Sequence, residues 1–173
     1  MKKTLWITET AVLLALLIVL QWLTKPLGQI VTGSCVNAVL AVAVLLGGLW
    51  CGLTVAFFSP FCAFVLGIGP QLLAIIPAIA LGNAVYVLLL HLVQKWMTGK
   101  VGKILALLGA SVGKFGVLYL VVVQFLCRML PLKQPQIDTF TAMFSIPQLV
   151  TALIGGALAI LLVPMVKKAL RKR

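Results

Sequence analysis

Lys114 is the residue of this chain whose chemistry most needs an explanation. It lies near the middle of the apolar stretch "GASVGKFGVLYLVV". About 11 residues, or roughly 16 Å of helix, separate it from the nearer end of that stretch, which is too far for easy snorkelling. Neither of the two acidic residues, Glu9 and Asp138, is predicted to lie at a matching depth. Two interpretations stay open: a structural lysine bonded to carbonyl groups, or a lysine in a wet cavity that receives an anionic ligand.

Other polar side chains in apolar stretches are candidates for the same site. Asn83 lies in the middle of "IALGNAVYVLL", and Tyr119 follows Lys114 on the same stretch. Each of these groups serves either as a hydrogen-bonding contact between helices or as a contact to a ligand, because polar groups in a membrane face protein or water. The remaining candidates of this kind are Asn37, Gln71, Gln124, Gln148 and Thr151.

The stretch that holds Lys114 also predicts a polar stripe. Arg128 lies 14 positions beyond Lys114, which at about 100° per residue places the two within roughly 40° on one helix face. Gln124 falls in the same sector. The stripe suits a path that leads inward from Arg128 to Lys114. An interfacial anchor is the other interpretation of Arg128.

Composition places these residues inside a membrane protein. The 173 residues are 63% hydrophobic and 9% charged, with a mean hydropathy of +1.23. Since long unbroken apolar runs predict helices, we expect an all-α membrane domain without a soluble domain. The predicted spans are about 5–24, 35–50, 51–68, 71–93, 103–128 and 142–166. Only "LGGLWCG" separates the second from the third, so the alternative is one broken span and five spans in total.

The net charge of +12 is distributed unevenly over the connections between these spans. With six spans, ten of the 14 Lys and Arg residues fall on the side of the termini and three on the other. This asymmetry predicts that both termini are cytoplasmic and that the basic tail "KKALRKR" contacts anionic lipid rather than nucleic acid. "MKK" and the apolar run after it are interpreted as a retained first span, because no small-residue cleavage site follows.

The sequence lacks the motifs that are typical of several classes of protein. The sequence has no P-loop, HExxH or GxSxG motif. Two acidic residues are too few for a carboxylate-based enzyme, and the four cysteines have no metal-binding spacing. We therefore expect no enzymatic activity, no metal and no cofactor. A disulfide between Cys35 and Cys127 stays open.

Three connections on the side away from the termini are irregular. They are "TKPLGQIVTGS" (24–34), "GIGPQ" (67–71) and "MLPLKQPQIDTF" (129–140). Loops held by a scaffold often carry binding, so the pattern suits the capture of a molecule from outside. Ordinary loop variability is the other interpretation.

Small residues four apart on the first span complete the pattern. Ala11 and Ala15 form "AVLLA", and such spacing lets a partner helix approach closely. With the length, the six spans and the basic cytoplasmic tail, this resembles the AxxxA motif and layout of the substrate-binding (S) components of energy-coupling factor (ECF) transporters. Intramolecular packing or a lipid-facing position is the alternative for the two alanines.

The resemblance implies a subunit of the bacterial cytoplasmic membrane that captures a vitamin-like substrate from outside. A transmembrane coupling subunit, which would contact Ala11 and Ala15, and two ATPases would drive transport. The resemblance also implies a pocket near the outer side, where Lys114, Asn83, Gln124 and Gln148 would bind the substrate and the first and third outer connections would gate it. Pantothenate, a folate, a flavin or a biotin-like acid all fit, whereas the residues expected for thiamine are missing. The alternatives are a self-sufficient small transporter or channel, or a membrane assembly subunit.

Overall fold

The chain forms a bundle of helices in a computed structural model that describes residues 3–96 and 99–171. Lys2, Lys172 and Arg173, which entered the charge comparison above, lie outside the described residues. The apolar runs become helices because a helix satisfies its own backbone hydrogen bonds, which lipid cannot do. The helices are α1 (Lys3–Thr24), α2 (Gln29–Gly47), α3 (Leu49–Val65), α4 (Ile76–Trp96), α5 (Gly99–Leu118), α6 (Gln134–Met143) and α7 (Ile146–Arg171).

The expected all-α membrane fold is confirmed. Five helical segments are long and apolar enough to cross a membrane, and α3 is a shorter apolar helix of 17 residues. Gly48 alone connects α2 to α3, with a φ of 85° that favours glycine. The α carbon of Gly52 packs so closely on Val44 that a Cβ on Gly52 would lie 2.9 Å from the Cβ of Val44. Thus α2 and α3 are two antiparallel helices and not one broken span.

Two of the predicted connections contain more helix than expected. Helix α2 begins at Gln29 rather than near residue 35, after a short 3-10 helix, Lys25–Leu27. The polar residues of "QIVTGS" suggested a loop, but several of them face the interior of the bundle. The connection predicted at 129–140 includes most of α6, which begins beside Pro135 because proline suits the first turn of a helix.

Helix α5 changes its hydrogen bonding after Leu118. Residues Tyr119–Leu126 form a π-helix, here called the π segment, and a three-residue helical turn, Cys127–Met129, follows it. A π-helix bonds i to i+5 and is wider than an α-helix. Angular positions counted at 100° per residue therefore fail beyond Leu118.

Helix α2 lies at the centre of the bundle and packs against α1, α3, α4 and α7. One buried apolar cluster, which includes Leu17, Leu40 and Val55, joins α1, α2 and α3 to α4, α5 and α7. A second cluster, which includes Val122 and Phe140, joins the π segment to α6. The first and last described residues lie at one end of the bundle, called the termini end. The connections 25–28, 66–75 and 130–145 lie at the opposite end, called the cavity end.

Candidate ligand-binding site

Lys114 is buried inside the bundle, with 3% of its surface exposed. Its Nζ donates hydrogen bonds to Asn37 Oδ1 at 2.6 Å and to Asn83 Oδ1 at 2.7 Å. It also lies 5.6 Å from the centre of the Tyr86 ring, within the range of a cation–π contact. An ammonium group has three donors, so one N–H of Lys114 has no hydrogen-bond partner in the part of the chain that the structure describes.

The two asparagines come from different helices and are themselves held in place. Asn37 on α2 donates through Nδ2 to Thr151 Oγ1 at 3.3 Å, and Thr151 donates to the backbone oxygen of Gln148 at 3.2 Å. Tyr86, one turn after Asn83 on α4, donates to the backbone oxygen of Ala152 at 3.0 Å. These bonds fix α2 and α4 against α7, so that both amide oxygens converge on Lys114.

Glycines allow α2 and α7 to approach closely enough for this arrangement. A Cβ on Gly155 would lie 2.5 Å from the backbone oxygen of Ser34 and 2.7 Å from the Cβ of Asn37. A Cβ on Gly33 would lie 3.0 Å from the side chain of Thr151. Small residues at helix contacts are the usual way to bring backbones together in lipid.

A cavity of about 250 Å³ opens above Lys114 toward the cavity end. Its polar lining groups include Lys114 from α5, Asn37 from α2 and Asn83 from α4. Apolar side chains, among them Ile76, Ile79 and Phe144, form much of the remaining wall. Neither Glu9 nor Asp138 lines the cavity, so its only charged lining groups among the described residues are Lys114 and Lys25.

The mouth of the cavity is crossed by hydrogen bonds between connections. Lys25 Nζ donates to the backbone oxygen of Gly67 at 2.8 Å. Gln29 and Gln148 both donate through Nε2 to the backbone oxygen of Met143, at 2.5 Å and 3.2 Å. All three connections of the cavity end therefore meet over the cavity.

The structure brings four of the nine predicted binding residues to one cavity. Lys114, Asn83, Asn37 and Gln148 line it, and Thr151 lies behind Asn37 as its hydrogen-bond partner. Lys114 combines features of both interpretations of the sequence. Amide carbonyl oxygens bind it, as expected for a structural lysine, and it also faces a cavity.

The other four predicted residues do not line this cavity. Gln124 donates to the Tyr119 hydroxyl at 3.0 Å within the π segment, and Arg128 is exposed. Gln71 is exposed and bonds only the nearby backbone oxygen of Gly69, at 3.4 Å. The polar stripe from Arg128 to Lys114 is not formed, since the π segment shifts every later residue around the axis.

Sequence reasoning missed several polar residues that line the cavity: Gln21, Lys25, Gln29, Thr32 and Ser59. Gln29 and Thr32 were assigned to a loop. Ser59 falls within the predicted span 51–68 but was not singled out there, and α3 does contain it, with Pro60 inside the helix. The pairing of α2 and α3 about Gly48 would have found Ser59, since it and Asn37 are equally far from Gly48.

Other predicted features lie outside the cavity. Ala11 and Ala15 are both exposed on α1 and so do not pack inside this chain. Cys35 and Cys127 are free thiols. Across residues 3–96 and 99–171, no group of three or more His, Cys, Asp or Glu side chains is placed to hold a metal ion.

A comparison with known proteins matches the chain to one protein family. A family model described as "ECF transporter, substrate-specific component" matches residues 6–167, which is nearly the whole chain. No curated protein and no solved structure was found to match the chain.

Proposed function

Since the chain belongs to the substrate-specific components of ECF transporters, we propose that it captures an anionic vitamin or related micronutrient in the cavity around Lys114. Family membership makes it a membrane subunit with a small-molecule substrate and partners in an ECF module, and not an enzyme. A transmembrane coupling subunit and two ATPases supply the driving force in this proposal.

The observation that carries the proposal is the buried ammonium group at the cavity. Asn37 and Asn83 offer Lys114 only neutral oxygens, at 2.6 Å and 2.7 Å. Taking an ammonium group out of water costs several kcal/mol, which amide dipoles offset in part and an opposite charge offsets further. A carboxylate in the cavity would accept the third N–H of Lys114. A cationic ligand would meet repulsion and no acidic partner.

The direction of capture follows from the charge asymmetry of the sequence. The excess of Lys and Arg on the side of the termini predicts that this side is cytoplasmic. The cavity end then faces the outside of a bacterial cytoplasmic membrane. The bonds of Lys25 to Gly67 and of Gln29 to Met143 hold the connections over the bound substrate.

The coupling subunit docks on α1 in this proposal. Ala11 and Ala15 are exposed, while larger apolar side chains such as Val12 and Leu16 lie beside them. Two exposed small residues one turn apart leave a shallow groove that suits a partner helix. This face spans the middle of α1, and neither alanine lines the cavity.

Native mass spectrometry of the gently purified protein tests the capture role. We expect a bound small acid in the wild-type protein and in Lys133→Met, which removes an exposed lysine from a connection. Lys114→Met should lose the bound mass while it remains folded. A bound mass that persists in Lys114→Met would refute the role of Lys114. Transport by the purified protein in liposomes without ATPases would instead support a self-sufficient transporter.

A further inference from the structure

Two buried polar atoms on another wall of the cavity have no hydrogen-bond partner. They are Ser59 Oγ on α3 and Gln21 Oε1 on α1, unpaired among the residues that the structure describes. Both residues line the cavity, and Ser59 is only 1% exposed. Lys114 is carried by α5, so the unpaired atoms belong to a different side of the same cavity. Buried polar groups without partners are costly and call for an explanation.

Several other hydroxyls inside helices of this chain bond to their own helix backbone, whereas the hydroxyl of Ser59 does not. Thr54 on the same helix donates to the backbone oxygen of Trp50, four residues earlier, at 2.8 Å. Thr10 and Thr24 on α1 make the same kind of bond, at 2.7 Å and 2.6 Å. Such back-bonding is the usual solution for a hydroxyl inside a helix. Ser59 does not use it, so its hydroxyl stays available to a molecule in the cavity.

The chemistry of the two atoms defines what they would bind. An amide oxygen only accepts hydrogen bonds, and a hydroxyl oxygen accepts as well as donates. A ligand group that satisfies both must therefore carry an O–H or N–H donor. A bare apolar group would leave both atoms buried and unpaired.

The size of the cavity limits the ligand further. Its volume of about 250 Å³ lies below the roughly 300–1,000 Å³ that is typical of sites for drug-sized molecules. A compact acid is the better match.

We propose that Gln21 and Ser59 form a second recognition point of the cavity, and that the ligand is a compact organic acid with a hydroxyl or N–H group. The carboxylate lies at Lys114 and the donor group lies between Gln21 and Ser59. This inference rests on the proposed capture function, whose anion site it extends.

The test begins with identification of what the protein selects. Wild-type protein is incubated with a dialysate of yeast extract, washed by gel filtration and denatured, and the released molecules are identified by mass spectrometry in both ion polarities. The dissociation constant of the released compound is then measured by calorimetry for the wild type, Gln21→Leu and Ser59→Ala. Thr54→Val is the matched control, since it removes a hydroxyl of the same helix that is bonded to its own backbone.

We expect a compact acid with O–H or N–H donors. Gln21→Leu and Ser59→Ala should each weaken its binding about fivefold to tenfold, as expected for one hydrogen bond, and Thr54→Val should leave it unchanged. An analogue without the donor group should bind the wild type and Ser59→Ala equally well. This loss of discrimination would not arise from a purely structural role of Ser59. Ser59→Cys, which keeps the shape of the side chain but hydrogen-bonds only weakly, replaces Ser59→Ala if that variant unfolds.

Three results count against the inference. A released cation overturns it together with the proposed capture of an anion, whereas a released acid without such donors overturns it and leaves that capture intact. Unchanged affinity in both Gln21→Leu and Ser59→Ala has the same meaning. If the wild type selects nothing from the extract, the proposed capture function fails, and this inference fails with it.

Discussion

The two ends of the bundle differ in how their helices are joined. At the termini end Gly48 alone joins α2 to α3, and a Cβ on Gly47 would lie 2.6 Å from Cys51 Sγ, so no space remains there. At the cavity end three longer connections meet, and Gly28, Gly67 and Gly69 adopt positive φ angles of 85°, 67° and 79°. Tight joining leaves no room for a ligand, whereas irregular connections provide backbone oxygens and space.

Helix α1 takes part in both regions, which makes the comparison testable. Its last turn contributes Gln21 to the cavity, while Ala11 and Ala15 are exposed nearer to the termini. If the cavity binds the ligand and the face around Ala11 and Ala15 binds the coupling subunit, a substitution can impair one of these functions without impairing the other. Of the following four changes, the first and third test that separation, the second tests helix packing and the fourth tests the mouth of the cavity; they run from the largest expected effect to the smallest.

Asn37→Asp should nearly abolish ligand binding and leave docking intact. It places a carboxylate where Asn37 Oδ1 now lies, 2.6 Å from Lys114 Nζ, so the chain itself would neutralise the ammonium group. We expect affinity for the released acid to fall about a hundredfold, or roughly 2.7 kcal/mol, in calorimetry. Because aspartate and asparagine are nearly isosteric, the wild type is itself the control for shape. Wild-type affinity in Asn37→Asp would show that the ligand does not pair with Lys114.

Gly155→Ala should destabilise the whole bundle. The added Cβ would lie 2.5 Å from the backbone oxygen of Ser34 and 2.6 Å from the backbone nitrogen of Ala38, so α2 and α7 must separate. Overpacking of this kind costs about 1–3 kcal/mol. Thermal unfolding in detergent measures it. Gly116→Ala is the matched control, because nothing lies within 4 Å of its added Cβ. Equal unfolding temperatures for the two variants would contradict close packing at Gly155.

Replacing Ala11 and Ala15 by leucine should impair docking and spare ligand binding. Both residues are exposed, so the leucines fit on the surface of this chain but obstruct a partner helix. We expect transport with the reconstituted coupling subunit and ATPases to fall about tenfold, since forcing larger side chains into a packed contact costs about 1–3 kcal/mol. Ala157→Leu, an exposed alanine on α7, is the control. Normal transport by the double variant would show that the coupling subunit does not dock on this face.

The sequence predicted the helices better than it predicted the site. Lys114, Asn83 and Asn37 were identifiable because a polar group inside an apolar run has few explanations. Gln124 and Arg128 were misplaced because the π segment has no signal in a periodic pattern. Ser59 and Gln21 were missed because their role depends on which helices become neighbours, and a single helix does not reveal its neighbours. Properties of one helix were thus predictable, and properties of helix pairs were not.

Lys25→Met should have the smallest effect, and it compares two lysines of the same cavity. Lys25 is exposed at the mouth and donates to Gly67 O at 2.8 Å, whereas Lys114 is buried at the amide oxygens. An exposed hydrogen bond contributes only about 0.5–1.5 kcal/mol, so loss of the contact should hasten ligand release roughly twofold to tenfold and change the association rate little. A chase experiment with labelled ligand measures the release, and Lys25→Arg should restore slow release by keeping a donor. If Lys25→Met weakened binding as much as Lys114→Met, charge at the mouth would matter as much as the buried ammonium, and the cavity would have two anion sites instead of one.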